Sequence, residues 1–505
     1  MRLHRLPAIL AGVLFALSFV SSIQAQTTCV LKGSLIDPSG AAVVGATISA
    51  QLVGSKNPPL QTKSTAGGKF ILQLAPGQYR VTIRQDSFSP VEKEFALAPG
   101  ETRTLNASLD LRRLASTVVV TASAEPELAG TAASRVDVLT QTQIEQSGQV
   151  MLTPLLASLP GMNFSQLGPM GGTTTFFLDG GNSNYTKVLI DGAPVNVSEP
   201  GFSVDFSNFS ADNISKIELV HGASSALYGT DAMTGVLQIF THRGTTSTPE
   251  ITVEGDGGMF DTGHGDGQIS QRVGAFDYSA GLSYIGSNGQ GAGNYFRDAT
   301  AIGNFGWKFS DTNTLRLSLR NTSSDAGQPG QTDFASVPFA VDYSEHSDLH
   351  DFASSLAWDF KTGEHWEESL TGYDARSQDI AVFPISPGVN YVATDKFNRA
   401  GLDGQSTYFF TNGEITAGYA FENETGGALG RHDQAGYLEI RRQFGRRLTA
   451  IAGGRIDAND SYGTRAVPRV GASYALRNGG EFWGATRVRT SFGEGIMEPP
   501  LFPVG

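Results

Sequence analysis

The feature that most constrains this chain is a strict alternation of apolar with small or polar residues, which dominates from Ile251 onward. The segments AIGNFGWKF, TLRLSLR, FASSLAWDF and EITAGYAFE all show it. In TLRLSLR, for example, Leu315, Leu317 and Leu319 alternate with Arg316, Ser318 and Arg320. Because successive side chains of a strand point to opposite faces, each segment is predicted to be a β-strand with one apolar face.

Such segments, about 10 residues long and often ending in aromatic residues, are typical of outer-membrane β-barrels. A soluble β-sandwich is the alternative, because its strands also alternate. Apart from the extreme N-terminus, the 505-residue chain has no run of 18 apolar residues. A membrane location would therefore require a barrel, which closes its backbone hydrogen bonds between strands. The interpretation is a mainly β chain in which residues 250–505 form part of an antiparallel transmembrane barrel.

Residues 1–25 have the pattern of a secretory signal peptide. Arg2 and Arg5 precede the apolar stretch AILAGVLFALSFV, and SSIQA leads to cleavage after Ala25. The net charge of −13 comes without any Lys/Arg cluster, so no nucleic-acid partner is expected. Cys29 is the single cysteine and is expected to be a free thiol. We therefore expect export to the outer membrane, with membrane lipid as a partner.

Residues 29–110 contain short alternating strands separated by the turn groups DPSG, AGG and APG, which predicts a small β-sandwich. The pattern GSLIDPSGAAVVGATI, followed by GKFILQLAPGQYRVTI, resembles carboxypeptidase regulatory-like domains. Residues 111–135 are then predicted to be a linker. From residue 136 to residue 244 the pattern is mixed α/β: TQTQIEQSG and VMLTPLLASLPG predict helices, and FFLDG, KVLIDG, ISKIELVHG and GVLQIFTH predict strands.

This α/β region contains the stretches FFLDGGNSNYTKVLIDGAPVN and DNISKIELVHGASSALYGTDAMTGVLQIFTHRG. Both resemble the plug domain of TonB-dependent outer-membrane receptors, in the style of the cobalamin and siderophore receptors. The resemblance implies that residues 136–244 fill the barrel. It also singles out a set of plug-motif residues: Leu189, Ile190, Asp191, Gly192, Gly222, Tyr228, Gly229 and Gly235. The apolar run before Asp191–Gly192 is expected to be a buried strand that ends in a turn.

The sequence departs from the family at two places, where the family usually has Arg-Gly. Here the pairs are Asp179–Gly180 and His221–Gly222. Because arginine forms bidentate ion pairs that Asp and His cannot form, these changes raise the question of how the plug is anchored to the barrel wall.

The linker contains STVVVTA, which resembles a TonB box. The residues concerned are Ser116, Thr117, Val118, Val119, Val120 and Thr121. The resemblance implies a TonB-type energy-transducing partner, to which this extended segment adds a strand. The alternative is that the segment is simply the first strand of the plug, since short apolar runs are common.

Two histidine patterns in the sequence are candidate metal sites. His346, Asp348 and His350 would share one face of an extended segment, although a solvated loop is the simpler interpretation. His365 and Glu368 match H-x-x-E, but the flanking residues predict a hairpin with no nearby third ligand. No catalytic residue, metal site or cofactor is therefore expected.

The resemblance implies a receptor for active uptake of a scarce small molecule such as a siderophore, a cobalamin or an oligosaccharide. The alternatives are a non-transporting surface-binding or signalling receptor and, remotely, an exported zinc peptidase. About eleven strand-like segments follow Ile251, whereas plugged transporter barrels have 22 strands. On this count the chain is expected to be a truncated copy.

Overall fold

The computed structural model describes residues 28–37, 42–55, 58–85, 88, 91–109, 118–119, 127–128, 132–197, 203–329, 343, 345–386, 389–445, 447–478 and 485–501. The predicted signal peptide, residues 1–25, lies outside them. The chain divides into two compact units, residues 1–116 and 117–505. Each is mostly β, as the alternation predicted. No helix in the described part of the chain is long and apolar enough to cross a membrane.

The first unit is the predicted β-sandwich. One sheet has the order β4-β1-β7, with β8 also pairing with β1, and the other has the order β3-β2-β5-β6. Inward residues of both sheets, such as Leu31, Ile48 and Val81, form one buried cluster. Cys29 is a free, buried thiol that donates to the Ala98 carbonyl oxygen at 3.0 Å. The strands are β1 (Cys29–Ile36), β2 (Thr47–Leu52), β3 (Leu60–Lys63), β4 (Lys69–Leu74), β5 (Gly77–Arg84), β6 (Val91–Leu97), β7 (Thr102–Thr104) and β8 (Ala107–Ser108).

The second unit begins with two short linker strands, β9 (Val118–Val119) and β10 (Glu127–Leu128), which pair with each other. Residues 136–244, which the sequence predicts to be the plug and which are called the plug below, form a five-stranded sheet of order β11-β16-β17-β14-β15 and a β12–β13 hairpin. Its elements are β11 (Val136–Thr140), α1 (Gln141–Ser147), α2 (Leu152–Leu156), β12 (Met162–Gln166), β13 (Thr174–Leu178), a 3₁₀ turn (Ser183–Tyr185), β14 (Thr186–Ile190), β15 (Ala193–Pro194), β16 (Ile214–His221), α3 (Ser225–Tyr228) and β17 (Gly235–Thr241).

Local sequence explains the plug helices. The Gln143 side chain accepts a hydrogen bond from the Thr140 backbone N–H at 3.0 Å, which caps the start of α1. Gly148 ends α1 in the left-handed conformation. Apolar residues of α2 pack on the sheet, where Leu152 and Leu156 join Phe176, Phe206 and Ile217 in a buried core.

The remaining described residues form one antiparallel sheet of thirteen strands, called the large sheet below. Its strands follow one another in sequence order: β18 (Glu250–Gly258), β19 (Thr262–Val273), β20 (Phe276–Ser287), β21 (Phe296–Ser310), β22 (Asn313–Gly327), β23 (His346–Thr362), β24 (Trp366–Ser386), β25 (Val389–Phe410), β26 (Gly413–Gly426), β27 (Leu429–Phe444), β28 (Leu448–Asn459), β29 (Gly463–Asn478) and β30 (Ala485–Gly493). The sequence estimate of about eleven strands is lower than the thirteen strands of the described residues.

The two faces of the large sheet differ as the sequence predicted. Asn304, Ser318 and Ser355 are buried on the inner face, whereas Trp307 and Trp358 are exposed on the outer face. The plug touches strands from β19, where Asp212 meets His264, to β30, where a Cβ on Gly493 would lie 3.1 Å from the Ala223 carbonyl oxygen. Contacts spread over that many adjacent strands require the large sheet to curve around the plug.

Candidate functional site

Some of the predicted plug-motif residues lie where the plug meets the large sheet, among them Asp191 and Gly229, whereas Ile190 and Gly235 pack inside the plug. Val188, Leu189 and Ile190 of β14 are buried, as predicted. Asp191 and Gly192 then adopt positive φ angles of 45° and 90° and reverse the chain into β15. The turn thus ends the strand where it meets the large sheet.

Asp191 joins this turn to three other strands. Its carboxylate accepts hydrogen bonds from the Thr241 backbone N–H at 3.2 Å, from the Thr241 hydroxyl at 2.5 Å and from the Ser318 hydroxyl of β22 at 2.6 Å. Its backbone carbonyl accepts a hydrogen bond from the Ser355 hydroxyl of β23 at 2.8 Å. A single residue of the plug is therefore hydrogen-bonded to two neighbouring strands of the large sheet, which is also called the wall below.

The residues of HGASSALYG form a tight loop with one helical turn, α3. Gly222 and Gly229 flank it with positive φ angles of 90° and 73°. A Cβ on Gly229 would lie 2.9 Å from a guanidinium nitrogen of Arg455 on β28, so the glycine permits close approach to the wall. Tyr228 packs on Leu189 and on neighbouring apolar residues of the plug. A Cβ on Gly235 would lie 2.2 Å from the Val220 carbonyl oxygen.

Asp179 and His221, which stand where the family has arginines, interact with each other. The His221 ring nitrogens lie 2.7 Å from Asp179 Oδ2 and 2.9 Å from Asp137 Oδ2. Arg135 pairs with the same Asp137 oxygen at 2.9 Å. These contacts lie within the plug and the segment that leads into it. The two residues that replace the expected arginines therefore contact each other and do not contact the large sheet through this pair.

Other polar pairs hold the plug on the wall and answer the question of its anchoring. Asn208 donates to Asp351 at 2.7 Å, and Arg320 donates to the Asn208 carbonyl at 3.2 Å. Asn304 donates to the Thr241 hydroxyl at 2.8 Å. The partners on the large sheet, Arg320, Asp351 and Asn304, all contact the plug without either of the two arginines that the resemblance led us to expect.

A buried ion cluster, missed by the sequence analysis, links a further plug loop to the wall. Arg399 of β25 lies between Asp231 of the plug, at 3.4 Å, and Glu424 of β26, while Arg431 of β27 pairs with Glu424 and Glu498. Burial raises the pKa of Asp231 above its usual value, although Arg399 opposes the shift. The signal was present in the alternation itself, since E-x-E, R-x-D and R-x-D occupy inward positions of β26, β27 and β28.

Two cavities are lined by residues of both the plug and the large sheet. The larger, about 600 Å³, includes residues of the short β21–β22 turn; among its lining residues are Lys187, Tyr228, Asp311, Tyr373, Asp403 and Arg455. The smaller, about 130 Å³, lies toward the other end of β23 and β24 and is lined by Asp205, Phe209, Arg320, Asp351, Arg376 and Asp379, among others. Burial raises the pKa of Asp205 to about 6, against hydrogen bonds from Thr174 and Ser207 that lower it.

Of the TonB-box residues, Val118 and Val119 form β9, whose register places Val119 opposite Glu127 and Val118 opposite Leu128. Ser116, Thr117, Val120 and Thr121 lie outside the described residues. The structure therefore gives the box a strand conformation at its centre and leaves its role as a prediction.

The histidine patterns lie on strands. His346, Asp348 and His350 belong to β23, not to a loop, because β22 and β23 extend further than the sequence suggested. His350 contacts the Ser323 hydroxyl at 3.0 Å. His365 lies in the predicted hairpin turn and contacts the Tyr408 ring, while Glu368 accepts a hydrogen bond from Ser406 at 3.0 Å. Neither set forms a metal-binding group among the described residues.

Comparison with known proteins gives three matches to family models along the chain. Residues 30–110 match the carboxypeptidase regulatory-like domain, residues 129–236 the TonB-dependent receptor plug domain, and residues 246–504 the TonB-dependent receptor-like β-barrel. The vitamin B12 transporter BtuB of Vibrio vulnificus (strain YJ016) is 24% identical over 366 residues, which cover 63% of this chain and 58% of that protein.

Two of the solved structures with the same fold are receptors. The siderophore receptor PirA from Acinetobacter baumannii superposes with a TM-score of 0.58 at 14% identity, covering 69% of this chain and 60% of PirA. The ferric yersiniabactin uptake receptor FyuA from Yersinia pestis gives 0.56 at 15% identity, covering 69% and 64%. The chain thus spans less than two thirds of the length of these relatives. Because the β-barrel family model alone matches more than half of its residues, the chain belongs to the TonB-dependent receptors.

Proposed function

We propose that the protein acts in energy-dependent uptake of a scarce small molecule, such as a siderophore, a cobalamin or an oligosaccharide, across the outer membrane. The observation that carries this proposal is the position of the plug. It lies against the inner face of a curved sheet and is held there by polar side chains, and both cavities are lined by residues of the plug and of that sheet. Passage of a small molecule along this face is proposed to require that the plug moves or changes shape.

The outer face of the large sheet supports a membrane location. Exposed aromatic residues gather near the short turns, where Trp307 packs on Phe309 and Trp358 on Phe360. Apolar residues such as Leu356, Leu402 and Leu438 are exposed further along the strands. An apolar band bordered by an aromatic girdle is what lipid contact requires of a barrel.

The smaller cavity is the better candidate for the first contact with the ligand. Its lining contains Asp205 from the plug and Arg320, Asp351, Arg376 and Asp379 from the large sheet. These groups offer both hydrogen-bond donors and acceptors around the Phe209 ring, so a polar ligand with apolar parts suits it.

Energy coupling is proposed to pass through the TonB box. A TonB-type partner would pair with the backbone of Val118–Val120, displacing the β9–β10 pairing, and pull on the segment that enters β11. Because Val119→Pro removes a backbone N–H and Val119→Ala keeps it, the two variants separate strand pairing from side-chain loss.

The test measures binding and accumulation separately in cells that lack their own receptors and express this chain. Labelled cobalamin, a panel of ferric siderophores and labelled oligosaccharides serve as probes. Uptake predicts that deletion of Ser116–Ala122, or Val119→Pro, abolishes accumulation of the bound probe and leaves binding unchanged, while Val119→Ala retains most accumulation.

The alternative, a non-transporting surface-binding or signalling receptor, predicts binding without accumulation in the parent chain itself. Accumulation that the deletion leaves unchanged would count against the role of the box. The N-terminal domain is the feature that favours this alternative, because it adds a possible second binding surface to the receptor.

A further inference from the structure

Three metal-ligating side chains from two parts of the molecule meet near the start of the large sheet. They are Asp212 of the plug and His264 and Asp266 of β19, with one ligand atom of each lying within 4.8 Å of the others. The His264 Nε2 atom is 3.1 Å from Asp212 Oδ2. The two strand residues are inward neighbours two positions apart, so both face the plug.

The second ring nitrogen of His264 is fixed from outside this group. Its Nδ1 atom lies 2.7 Å from Asp256 Oδ2 of β18, and Asp256 is the residue directly opposite His264 in the β18–β19 ladder. The His264 side chain is only 4% exposed. A neutral imidazole has one ring proton and satisfies one carboxylate. A cation, either a second proton on the ring or a metal ion at Nε2, allows both ring nitrogens to interact favourably with a carboxylate at once.

His221 provides an internal comparison, since it also lies between two carboxylates. There Arg135 pairs with Asp137, so a cationic side chain already balances the extra negative charge. At His264 the described Lys and Arg side chains form no ion pair with Asp212, Asp256 or Asp266. Asp266 itself has no hydrogen bond or ion pair to any described residue. Nearby, Asn213 has a buried side-chain oxygen that also lacks a hydrogen-bond donor.

A proton and a metal ion differ in what they satisfy. A proton on Nε2 forms a hydrogen bond to Asp212 and leaves the negative charge of the neighbouring Asp266 without a partner. A divalent cation accepts Nε2 and one oxygen from each aspartate, and its two charges balance the two carboxylates. Imidazole with carboxylates is a donor set that suits Zn²⁺ and similar transition ions, whereas Ca²⁺ and Mg²⁺ prefer oxygen ligands alone.

We propose that Asp212, His264 and Asp266 form a binding site for a divalent transition ion of the Zn²⁺ type, with Asp256 orienting the imidazole. The carboxylate–histidine arrangement is the usual one around protein-bound zinc, where the outer carboxylate fixes the ring and raises its basicity. Three protein ligands leave a fourth position for water. Because Asp212 belongs to the plug and the other two ligands to the large sheet, the ion cross-links the two.

The experiment is a metal titration of the full chain in detergent micelles after removal of metal with a chelator. Zn²⁺ binding is followed by calorimetry, Co²⁺ binding by its visible absorption, and thermal unfolding is measured with and without Zn²⁺. The expected result is one saturable site for Zn²⁺, none for Ca²⁺ at the same concentration, and a higher melting temperature with Zn²⁺.

Matched variants locate the site. His264→Gln and Asp266→Asn should abolish saturable Zn²⁺ binding, and Asp256→Asn should weaken it by about 10- to 100-fold. His221→Gln and His432→Ala should leave it unchanged, because the first is balanced by Arg135 and the second forms an exposed pair with Asp460. If Asp266→Asn folds and still binds Zn²⁺ as the parent does, or if the parent has no saturable site, a proton rather than a metal ion joins His264 to Asp212 and the proposal is wrong.

Discussion

The side chains of Asp179 and His221 form a direct pair, with 2.7 Å between Asp179 Oδ2 and His221 Nδ1. The two residues come from the ends of different plug strands and stand where related receptors usually have arginines. Because the two side chains contact each other directly, a change at either position alone should leave the other without its partner.

Replacement of Asp179 by Arg should destabilise the plug by about 1.5–3 kcal/mol, because it removes a charge-assisted hydrogen bond and places a cation beside His221 and Arg135. The combined variant Asp179→Arg with His221→Asp should recover part of this loss. A double-mutant cycle on the melting temperature in detergent measures the coupling. If the loss in the double variant equals the sum of the losses in the two single variants, the pair carries no interaction energy.

Replacement of Asp191 by Ala should loosen the plug from the wall. The change removes three hydrogen bonds to the carboxylate and leaves a non-glycine residue at a φ of 45° without the help of a polar side chain, which together cost about 2–4 kcal/mol. Asp191→Asn should cost less, because Asn tolerates this φ and keeps one acceptor oxygen. Protease cleavage within the plug, measured over time, reports the loosening. The control is Asn412→Ala, at a φ of 63° in the β25–β26 turn away from the plug.

Loss of Arg399 should be severe. The Arg399→Met variant leaves Asp231 and Glu424 buried without their shared cation, at a cost of about 3–5 kcal/mol. Arg376→Met removes an exposed arginine from a pair with Asp374 and should cost below about 1 kcal/mol. Thermal unfolding in detergent compares the two, and similar melting temperatures would contradict the assigned role of the cluster.

Stability should depend on pH through Asp205. Burial raises its pKa to about 6 in the folded protein, above the value of about 3.9 in an unfolded chain. Between these values the folded protein retains a proton that the unfolded chain has released. Its contribution to stability is therefore complete below pH 4 and is lost as the pH rises to 6, by about 1–3 kcal/mol. Asp205→Asn keeps an acceptor for the Thr174 and Ser207 N–H groups and should flatten this slope. Melting temperatures from pH 4 to pH 8 test it, and parallel curves for both proteins would contradict it.

The parts of the fold that sequence predicted are those with a simple period. Alternation in β21, β22, β23 and β26 identified their apolar faces, and the buried run ending at Asp191–Gly192 identified β14. In the glycine-rich β19 the apolar period is weak, so the sequence alone sets the number of strands less well than it sets the faces of the regular ones. His346 and His350 were placed in a loop for a similar reason, since polar residues near the end of a long strand carry no apolar face.

The contacts of the site could not be predicted in the same way, because they join residues far apart in the chain. Asp191 is 127 positions from Ser318, and Asp231 is 168 positions from Arg399. The inward charges of β25 to β27 do follow the strand period, but their partners depend on the register and curvature of the large sheet. The contact of Asp212 with His264 and Asp266 likewise depends on how the large sheet curves around the plug. The spacing of these residues in the sequence does not predict it.

The contrast between the interior of the plug and its boundary has a mechanical consequence. Inside, Phe176, Phe206 and Leu237 are fully buried in a dry core, and exposing that surface costs about 25 cal/mol for each Å². At the boundary, contacts such as Asp191 with Ser318 and Asn208 with Asp351 are separate hydrogen bonds to carboxylates, each with a net value of about 1.5–3 kcal/mol. The buried pair of Arg399 with Asp231 is the strongest contact described at this boundary. Under a pulling force the separate hydrogen bonds should therefore break one at a time while the core stays folded, and the Arg399 cluster should set the force at which the plug leaves the large sheet.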